Sequence, residues 1–298
     1  MKLLVVIVTY NAMQWAERCF NSLRSSSVRP DVFVVDNGST DGTQAYIQQN
    51  YPEVLFQQSK KNLGFGKANN IGLQYALDNN YDYVYLLNQD AWILSDTFEK
   101  LIKISQKHPE YGIISPFQMN ADMKHIDVNF IKNVCSWKSN SSIFNDLYNQ
   151  TLDDIYAVSS VMAAHWLITS DCLKKVGGFS PSFPHYGEDD NYLERAKFYD
   201  FKIGIVPSLR VVHDRGWRID PPEKRIYMGY ISSIKSLSSP KTSCKVAIFR
   251  MLNKNIKLVF KYGSAKPISN IFKVLSDIRK INENKNRSIT KDCAFLNV

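Results

Sequence analysis

Three short polar stretches have the composition of a chemical site. Asn88-Gln89-Asp90 ends an apolar run of strand length, Glu188-Asp189-Asp190 follows Gly187, and His213 follows Val211-Val212. Carboxylate and imidazole groups can hold a divalent cation, and a carboxylate can remove a proton from an attacking hydroxyl. Each stretch alone also has an ordinary structural interpretation: a strand ending in a polar turn, acids that stabilise the first turn of a helix, and a structural histidine.

The elements that would position these residues alternate between strand and helix. Apolar runs at 3–8, 32–35, 54–57, 83–87 and 111–115 predict strands, and helical patterns cover 14–25, 62–77 and 96–107. This alternation predicts a doubly wound α/β sheet flanked by helices. Ligands bind such sheets at the carboxyl ends of the strands, which is where Asn88-Gln89-Asp90 falls.

Two other predicted strands also end on polar residues. Thr9-Tyr10-Asn11 follows the first, and Asp36-Asn37-Gly38-Ser39-Thr40-Asp41 follows the second. Turn chemistry accounts for Gly38 and for Asp41 as a helix cap, but not for Asp36 at the strand tip. Gly64 and Gly66 begin a glycine-rich helix start, yet Asn69 stands where a dinucleotide fingerprint has its third glycine, which argues against a Rossmann dehydrogenase. The same helix start could donate backbone N–H groups to a phosphate.

The second half of the chain is less regular. Residues 118–156 are rich in Asn and Ser, and their pattern predicts an insertion of loops and short strands. Order returns with the apolar segment 158–169 and a helix that begins at the Glu188-Asp189-Asp190 acids. Two short strands are predicted at 203–206 and 211–212, the second of them ending at His213.

Composition and charge exclude several classes of protein. The net charge is +9, but residues 241–298 hold 13 Lys and Arg against 3 Asp and Glu, which leaves 24 against 25 in the first 240 residues. The basic excess therefore belongs to the tail, and no recognised nucleic-acid module accompanies it. Five scattered cysteines without CxxC spacing fit a reducing cytosol. The apolar start ends in Thr9-Tyr10-Asn11 without a cleavage site, so we interpret it as a strand, and no run reaches membrane-spanning length.

The basic tail alternates charge with apolar side chains. Between residues 241 and 281 the pattern predicts two amphipathic helices whose apolar faces would lie on an anionic membrane surface, a peripheral contact. The same faces would equally suit packing on the catalytic domain or on a second subunit of a homo-oligomer, and the pattern favours neither.

Taken in order, these motifs resemble a family 2 glycosyltransferase of the GT-A fold, and in particular its bacterial rhamnosyltransferase-like branch, where the metal motif commonly reads Asn-x-Asp. The resemblance covers residues 3 to about 218. It is carried by Val8-Thr9-Tyr10-Asn11, Val35 to Asp41, Asn62-Leu63-Gly64-Phe65, Asn88-Gln89-Asp90, Gly177-Gly178-Phe179, Gly187-Glu188-Asp189 and His213.

The resemblance implies a role for each matching residue. Asp90 and His213 would hold Mg²⁺ or Mn²⁺, and Asp189 would be the catalytic base, with Glu188 contacting the acceptor or orienting the base and Asp190 as the next candidate base. Asp36 would accept the N3–H of uracil or thymine. The remaining members of the nucleotide-sugar pocket would be Thr9, Tyr10, Asn11, Asn37, Ser39, Gly64, Asn69, Asn88, Gln89 and Arg218.

The function implied is inverting, metal-dependent transfer of a sugar from a dTDP- or UDP-sugar to a glycan or lipid-linked acceptor, in assembly of bacterial surface polysaccharide such as O-antigen or capsule. Residues 1–218 would form the catalytic domain, with a nucleotide-sugar half over 1–115 and an acceptor half over 116–218, and 219–298 a basic helical region. The protein would be cytoplasmic or peripheral on the inner face of the plasma membrane. A nucleotidyltransferase should show a Gly-rich basic loop after the first strand, which Thr9-Tyr10-Asn11 lacks. A non-catalytic nucleotide-sugar-binding scaffold would tolerate Asp189→Asn.

Overall fold

The computed structural model describes residues 1–134, 142–215 and 221–297. Within them, a nine-stranded sheet has the order β3-β2-β1-β4-β8-β6-β9-β5, with β7 pairing on β9. The strands are β1 Leu3–Thr9, β2 Asp31–Asp36, β3 Leu55–Gln58, β4 Tyr83–Asn88, β5 Ala91–Trp92, β6 Tyr111–Met119, β7 Tyr156–Ala157, β8 His165–Thr169 and β9 Lys202–His213. The mixed α/β fold predicted from the sequence is confirmed.

Helices cover both faces of this sheet. They are α1 Met13–Arg24, α2 Thr43–Asn50, α3 Phe65–Asp78, α4 Thr97–Lys107, α5 Val128–Val134, α6 Ile143–Asn149, α7 Ser170–Val176, α8 Glu188–Phe198, α9 Pro222–Ser238, α10 Cys244–Tyr262 and α11 Lys266–Thr290. Successive side chains of a strand point to opposite faces, so Leu4 and Val6 of β1 enter one core while Leu3, Val5 and Ile7 enter the other. Burial on both faces explains the uninterrupted apolar run of this strand.

The parallel part of the sheet aligns the strand ends that carry polar residues. β1 pairs in parallel with β2 and with β4, and the register sets Thr9 opposite Asp36 and Val8 opposite Asn88. The polar residues that follow three strands therefore meet at one edge, as the alternation predicts.

Antiparallel pairing begins at β8, which lies between β4 and β6. Two strands were predicted at 203–206 and 211–212, but β9 is continuous from Lys202 to His213. Its register with β6 shifts between Pro116 and Phe117, which face Val206 and Arg210. This irregularity accommodates residues 207–209 without ending the strand. Pro207-Ser208 interrupts the apolar pattern, and for that reason the sequence predicted two strands.

The segment 118–156 also differs from prediction. β6 runs on to Met119, and two helices of seven residues each, α5 and α6, lie among the expected loops and the short strand β7. The Asp127 carboxylate accepts the Phe130 backbone N–H and so caps the start of α5. One Asp among many Asn and Ser residues gave too weak a signal to predict this helix.

The C-terminal helices pack on one another and return to the sheet. Tyr230, Ile234 and Leu237 of α9 share a buried cluster with Met251 of α10 and Val274 of α11. Beyond α11, the Ala294 carbonyl accepts the Gly178 backbone N–H. The predicted amphipathic helices are therefore present, and among the described residues no helix is long and apolar enough to cross a membrane.

Candidate active site

Asp36 organises the loop at the end of β2. Its side chain is fully buried and its carboxylate accepts five hydrogen bonds, from the Thr9 hydroxyl, the Ser39 hydroxyl and backbone N–H, the Gly38 N–H and the Gln44 amide. A carboxylate has about four lone-pair sites, so none remains open here. Acceptance of a base N3–H, as the resemblance implies, would require one of these donors to be released.

Tyr10 and its neighbours form a cross-linked rim at the same edge. The Gln89 side chain accepts the Tyr10 backbone N–H at 2.6 Å and donates to the Tyr10 carbonyl at 3.2 Å. Asn11 adopts a left-handed φ of 52° and accepts the Thr40 N–H, while Ser39 Oγ accepts the Asn11 N–H. With its backbone held in this way, Tyr10 is 47% exposed, and its side chain is available for stacking.

Asn37 ties the glycine-rich loop to this rim. It accepts the Leu63 N–H and donates to the Gly64 carbonyl, and Gly64 has a φ of 80° that favours glycine. Asn69 was expected to reach the nucleotide, but it is buried and donates to the Phe65 carbonyl within α3. The Asn69 amide nitrogen is thus engaged within its own helix, and the expectation that Asn69 and Gly64 meet the nucleotide stays a prediction.

Asp90 and His213 are held together by backbone pairing. Ala91 of β5 pairs with His213 of β9, and the Asp214 N–H donates to the Asp90 carbonyl. The result is a distance of 3.5 Å between His213 Nε2 and Asp90 Oδ1. Residues 123 positions apart in the chain thus present one carboxylate and one imidazole side by side.

The charge environment keeps Asp90 ionised. Burial alone would raise the pKa of this carboxyl, but its hydrogen bond and charge contact with His213, together with the positive charge of Arg215, hold the pKa below its usual value. Oxygen and imidazole donors suit Mn²⁺ and, less strongly, Mg²⁺. Among the described residues, no group of three or more His, Cys, Asp and Glu side chains is arranged so that it could hold a metal ion.

The three acids at the start of α8 are in different environments. Gly187, with a φ of 85°, begins the helix, and a Cβ there would lie 2.7 Å from Ile231 of α9. Asp190 forms an ion pair with Lys235 and accepts the Ser160 hydroxyl. Asp190 is thereby occupied, which leaves Glu188 and Asp189 as the carboxyls available for chemistry.

Both available carboxyls hold their protons unusually tightly. Burial raises the pKa of Glu188 to about 7, and Glu188 Oε2 has no hydrogen-bond partner among the described residues. Burial and the neighbouring Asp190 charge raise the pKa of Asp189 to about 6. A carboxyl that titrates near neutrality is well matched to proton transfer at cellular pH.

One cavity of about 230 Å³ brings the separate groups together. It is lined by Phe65, Asn88, Asp90, Met162, Ala163, Ala164, His185, Tyr186, Glu188, Asp189, His213 and Arg215. Asp90, His213 and Asp189, which come from three distant parts of the sequence, thus open onto the same space. This juxtaposition is the geometric requirement for cation-assisted chemistry with a nearby base.

Sequence reasoning did not select several of these lining residues. Arg215 contributes a cation whose Nε lies 3.8 Å from Asp127 Oδ2 and whose Nη2 contacts the Met162 sulfur. Asp127 lies in the weakly patterned segment 118–156, and Met162 lies in an apolar run that gives no sign of a site. Arg218, expected to meet the diphosphate, lies outside the described residues.

Buried His165 is a structural residue. It accepts from or donates to the Tyr85 hydroxyl through Nδ1 and contacts the Val212 carbonyl through Nε2, each at 2.8 Å. Burial lowers its pKa to about 3, so it is neutral. It links β4, β8 and β9 behind the Asp90 and His213 pair.

Comparison with known proteins identifies the family. The model of glycosyl transferase family 2 matches residues 4–162, and the chain belongs to this family. It is therefore an enzyme of the glycosyltransferase class, as the motifs predicted.

A relative from Mycobacterium tuberculosis, N-acetylglucosaminyl-diphospho-decaprenol L-rhamnosyltransferase, is 33% identical over 231 residues, covering 71% of this chain and 75% of its own. S. aureus TarS 1-349 in complex with UDP superposes with a TM-score of 0.59 at 16% identity, over 97% of this chain and 83% of its own. A mannosyltransferase from Pyrobaculum calidifontis in complex with GDP-Man and Mn²⁺ superposes with a TM-score of 0.57 at 15% identity, over 97% of this chain and 85% of its own. These two structures share the fold.

Proposed function

We propose that this chain is an inverting, metal-dependent glycosyltransferase that moves a sugar from a dTDP- or UDP-sugar to a glycan acceptor in assembly of a bacterial surface polysaccharide such as O-antigen or capsule. The observation that carries the proposal is the common cavity of Asp90, His213 and Asp189. The M. tuberculosis relative, named as an L-rhamnosyltransferase, supports a hexose donor of this kind.

Asp90 and His213 would hold Mg²⁺ or Mn²⁺ between them, and the bound cation would supply Lewis-acid neutralisation of charge on the departing diphosphate. Asn88, at the end of β4, lines the same space and would meet the ribose or a metal-bound water. Arg215 adds a positive charge on the cavity wall. Arg215 and a cation held by Asp90 and His213 would together balance the charge of an anionic leaving group.

The nucleotide would lie along the rim formed by the ends of β1 and β2. Tyr10 would stack on the base through its exposed ring, and Gly64 would allow the backbone to approach the nucleotide closely. Asn11, Asn37, Ser39 and the buried Asp36 would fix the shape of this rim through the hydrogen bonds described above. Thr9 contributes by donating to Asp36.

Asp189 would take the proton from the acceptor hydroxyl as that oxygen attacks the anomeric carbon. The hydroxyl oxygen forms the new glycosidic bond, the bond to the nucleoside diphosphate breaks, and the proton passes to the carboxylate. Glu188 would contact the acceptor or orient the base. With Asp189 as the base and Glu188 on the acceptor, the hydroxyl would attack the anomeric carbon directly, in a single displacement with inversion.

The acceptor we favour is a lipid-linked glycan reached at a membrane surface. The name of the M. tuberculosis relative includes a polyprenyl diphosphate acceptor. On α10 and α11 of this chain, Phe249, Phe260 and Phe272 are 69%, 85% and 68% exposed, next to basic residues such as Lys261. This basic apolar face would place the enzyme peripherally on the anionic inner leaflet of the plasma membrane.

The experiment that tests this function is a donor panel assayed with Mn²⁺. Purified chain is incubated with dTDP- and UDP-sugars, and released nucleoside diphosphate is measured with and without candidate glycan acceptors. We expect release of nucleoside diphosphate with at least one donor, and loss of that release on chelation and in Asp90→Asn. Sedimentation of the same samples, with and without anionic vesicles, separates membrane contact from homo-oligomer formation.

A further inference from the structure

A second cavity, of about 300 Å³, lies between α8, α9 and α10. It is lined by Glu194, Ser232, Ser233, Lys235, Ser236, Ser239, Thr242, Arg250, Met251 and Lys254. Lys235 connects it to the active site, because the same ammonium group pairs with Asp190, the residue next to Asp189. One charged side chain is thus shared between the acid cluster and this separate cavity.

The cavity carries an excess of positive charge. Three of its lining residues are cations, and only Lys235 has an ion-pair partner among the described residues. Burial and the nearby charge of Lys235 lower the pKa of Lys254, as expected for a cation without an acidic neighbour. The single lining acid, Glu194, has its pKa raised by burial. Arg250 and Lys254 have no ion-pair partner among the described residues, and the one acid that shares the cavity, Glu194, hydrogen-bonds to Ser239 and has a buried Oε2 without a partner.

Hydroxyl groups complete a lining suited to an oxyanion. Ser232, Ser236 and Thr242 line the cavity together with the cations, and Ser236 Oγ is buried with no hydrogen-bond partner in the described part of the chain. A buried hydroxyl left without a partner is costly unless a ligand or water bonds to it. Serine hydroxyls with Arg and Lys are the donors that phosphate groups accept from most strongly.

We propose that this cavity binds the phosphate or diphosphate that links the acceptor sugar to its lipid. The inference rests on the proposed function, since it assumes an acceptor hydroxyl at Asp189. From Asp190 to Glu194 is one helical turn of α8, about 6 Å, which is on the scale of one sugar ring. A sugar whose hydroxyl meets Asp189 would therefore set its anomeric phosphate beside Lys235. Arg250 stands next to the exposed Phe249, so the lipid chain would leave the cavity toward the apolar face.

The test compares two doubly substituted chains of equal charge. Arg250→Gln/Lys254→Gln alters the cavity, whereas Lys280→Gln/Lys291→Gln removes two exposed charges that do not line it. Calorimetric titration with inorganic pyrophosphate is carried out without divalent cations, after circular dichroism has verified folding. We expect the cavity variant to bind pyrophosphate about tenfold or more weakly than wild type, because two charge-assisted hydrogen bonds are removed. The control should lose less than about threefold, which is the effect of net charge alone.

A second titration identifies the source of the phosphate. A short isoprenyl-diphospho-N-acetylglucosamine is compared with the same glycoside lacking phosphates, and phosphatidylglycerol vesicles form a third arm. Tighter binding of the diphosphate compound by wild type, and not by the cavity variant, supports the proposal. Equal binding of both glycosides, or a defect confined to vesicles, overturns it. Donor turnover by wild type tests the proposed function separately. Intact turnover without pyrophosphate binding would refute phosphate binding in this cavity and leave the proposed function standing.

Discussion

Replacement of Asp189 by Asn removes the proposed base while keeping the size and shape of the side chain. A positioned general base typically contributes about 10²- to 10⁴-fold to a rate, so kcat for sugar transfer should fall by about that factor. Donor affinity should stay within about threefold, because the nucleotide rim lies on β1, β2 and β4. Single-turnover transfer and equilibrium donor binding measure the two quantities independently.

The same substitution should stabilise the fold in a pH-dependent way. The pKa of Asp189 is raised from 3.8 to about 6 by burial and by Asp190, and each unit corresponds to about 1.4 kcal/mol, so the ionised carboxylate costs the folded state about 3 kcal/mol. The pKa of Asp189 is higher in the folded state than in the unfolded state. The cost is therefore absent below about pH 4, grows as the pH rises from about 4 to about 6, and is complete above about pH 6. Asn carries no such cost.

Urea unfolding of wild type and Asp189→Asn at pH 4 and pH 7.5 checks the magnitude. The variant should gain about 2–3 kcal/mol relative to wild type at the higher pH and much less at the lower. Asp277→Asn, an exposed position on α11, supplies the same chemical change away from the cleft and should show no such gap. A stability difference independent of pH, or weakened donor binding in Asp189→Asn, would refute the reasoning.

Three further outcomes follow from the geometry. The transfer rate should rise about tenfold per pH unit below pH 6 and level off above it, because Asp189 must lose its proton; a profile that falls over this range contradicts its role as base. Asp36→Asn should weaken donor binding by about tenfold or more and lower the free energy of unfolding by about 1–3 kcal/mol, because buried donors such as Ser39 and Gln44 lose a carboxylate oxygen that accepts from them. Unchanged donor affinity in calorimetric titration would dismiss the role of Asp36 in shaping the rim. Phe249→Ser/Phe260→Ser should reduce flotation with anionic vesicles by about 100-fold, because two rings no longer enter the lipid. The control Tyr148→Ser, an exposed position on α6, should float like wild type. Equal flotation of wild type and both variants would exclude this face as the membrane contact.

The arrangement of the sheet edge follows directly from sequence because its signals are local. Apolar runs that end in polar residues fix both the strand and its carboxyl end, and parallel pairing then places Thr9 opposite Asp36 and Val8 opposite Asn88. The juxtaposition of Asp90 with His213 needed more than periodicity. It depends on the two-residue strand β5, which is too short to give a pattern, and the family resemblance supplied it.

Other features depend on tertiary context that no local pattern encodes. Asn69 follows a glycine-rich loop in the expected place, but the turn of α3 directs its amide back to the Phe65 carbonyl. The pairing of Asp190 with Lys235 separates it from Asp189, although the two are adjacent acids in sequence. Lys235 lies on α9 in the C-terminal region, and it engages Asp190 but not Asp189. Residues 187–190 alone therefore could not show which acid is the base.

The stereochemistry of donor turnover tests the central claim most directly. Proton NMR can follow the anomer released at the start of donor hydrolysis with Mn²⁺, before the free sugar equilibrates. A water or acceptor that attacks from the Asp189 side of the cavity should yield the anomer opposite to that of the donor. Initial release of the donor's own anomer, or no turnover of any dTDP- or UDP-sugar that binds, would contradict the account.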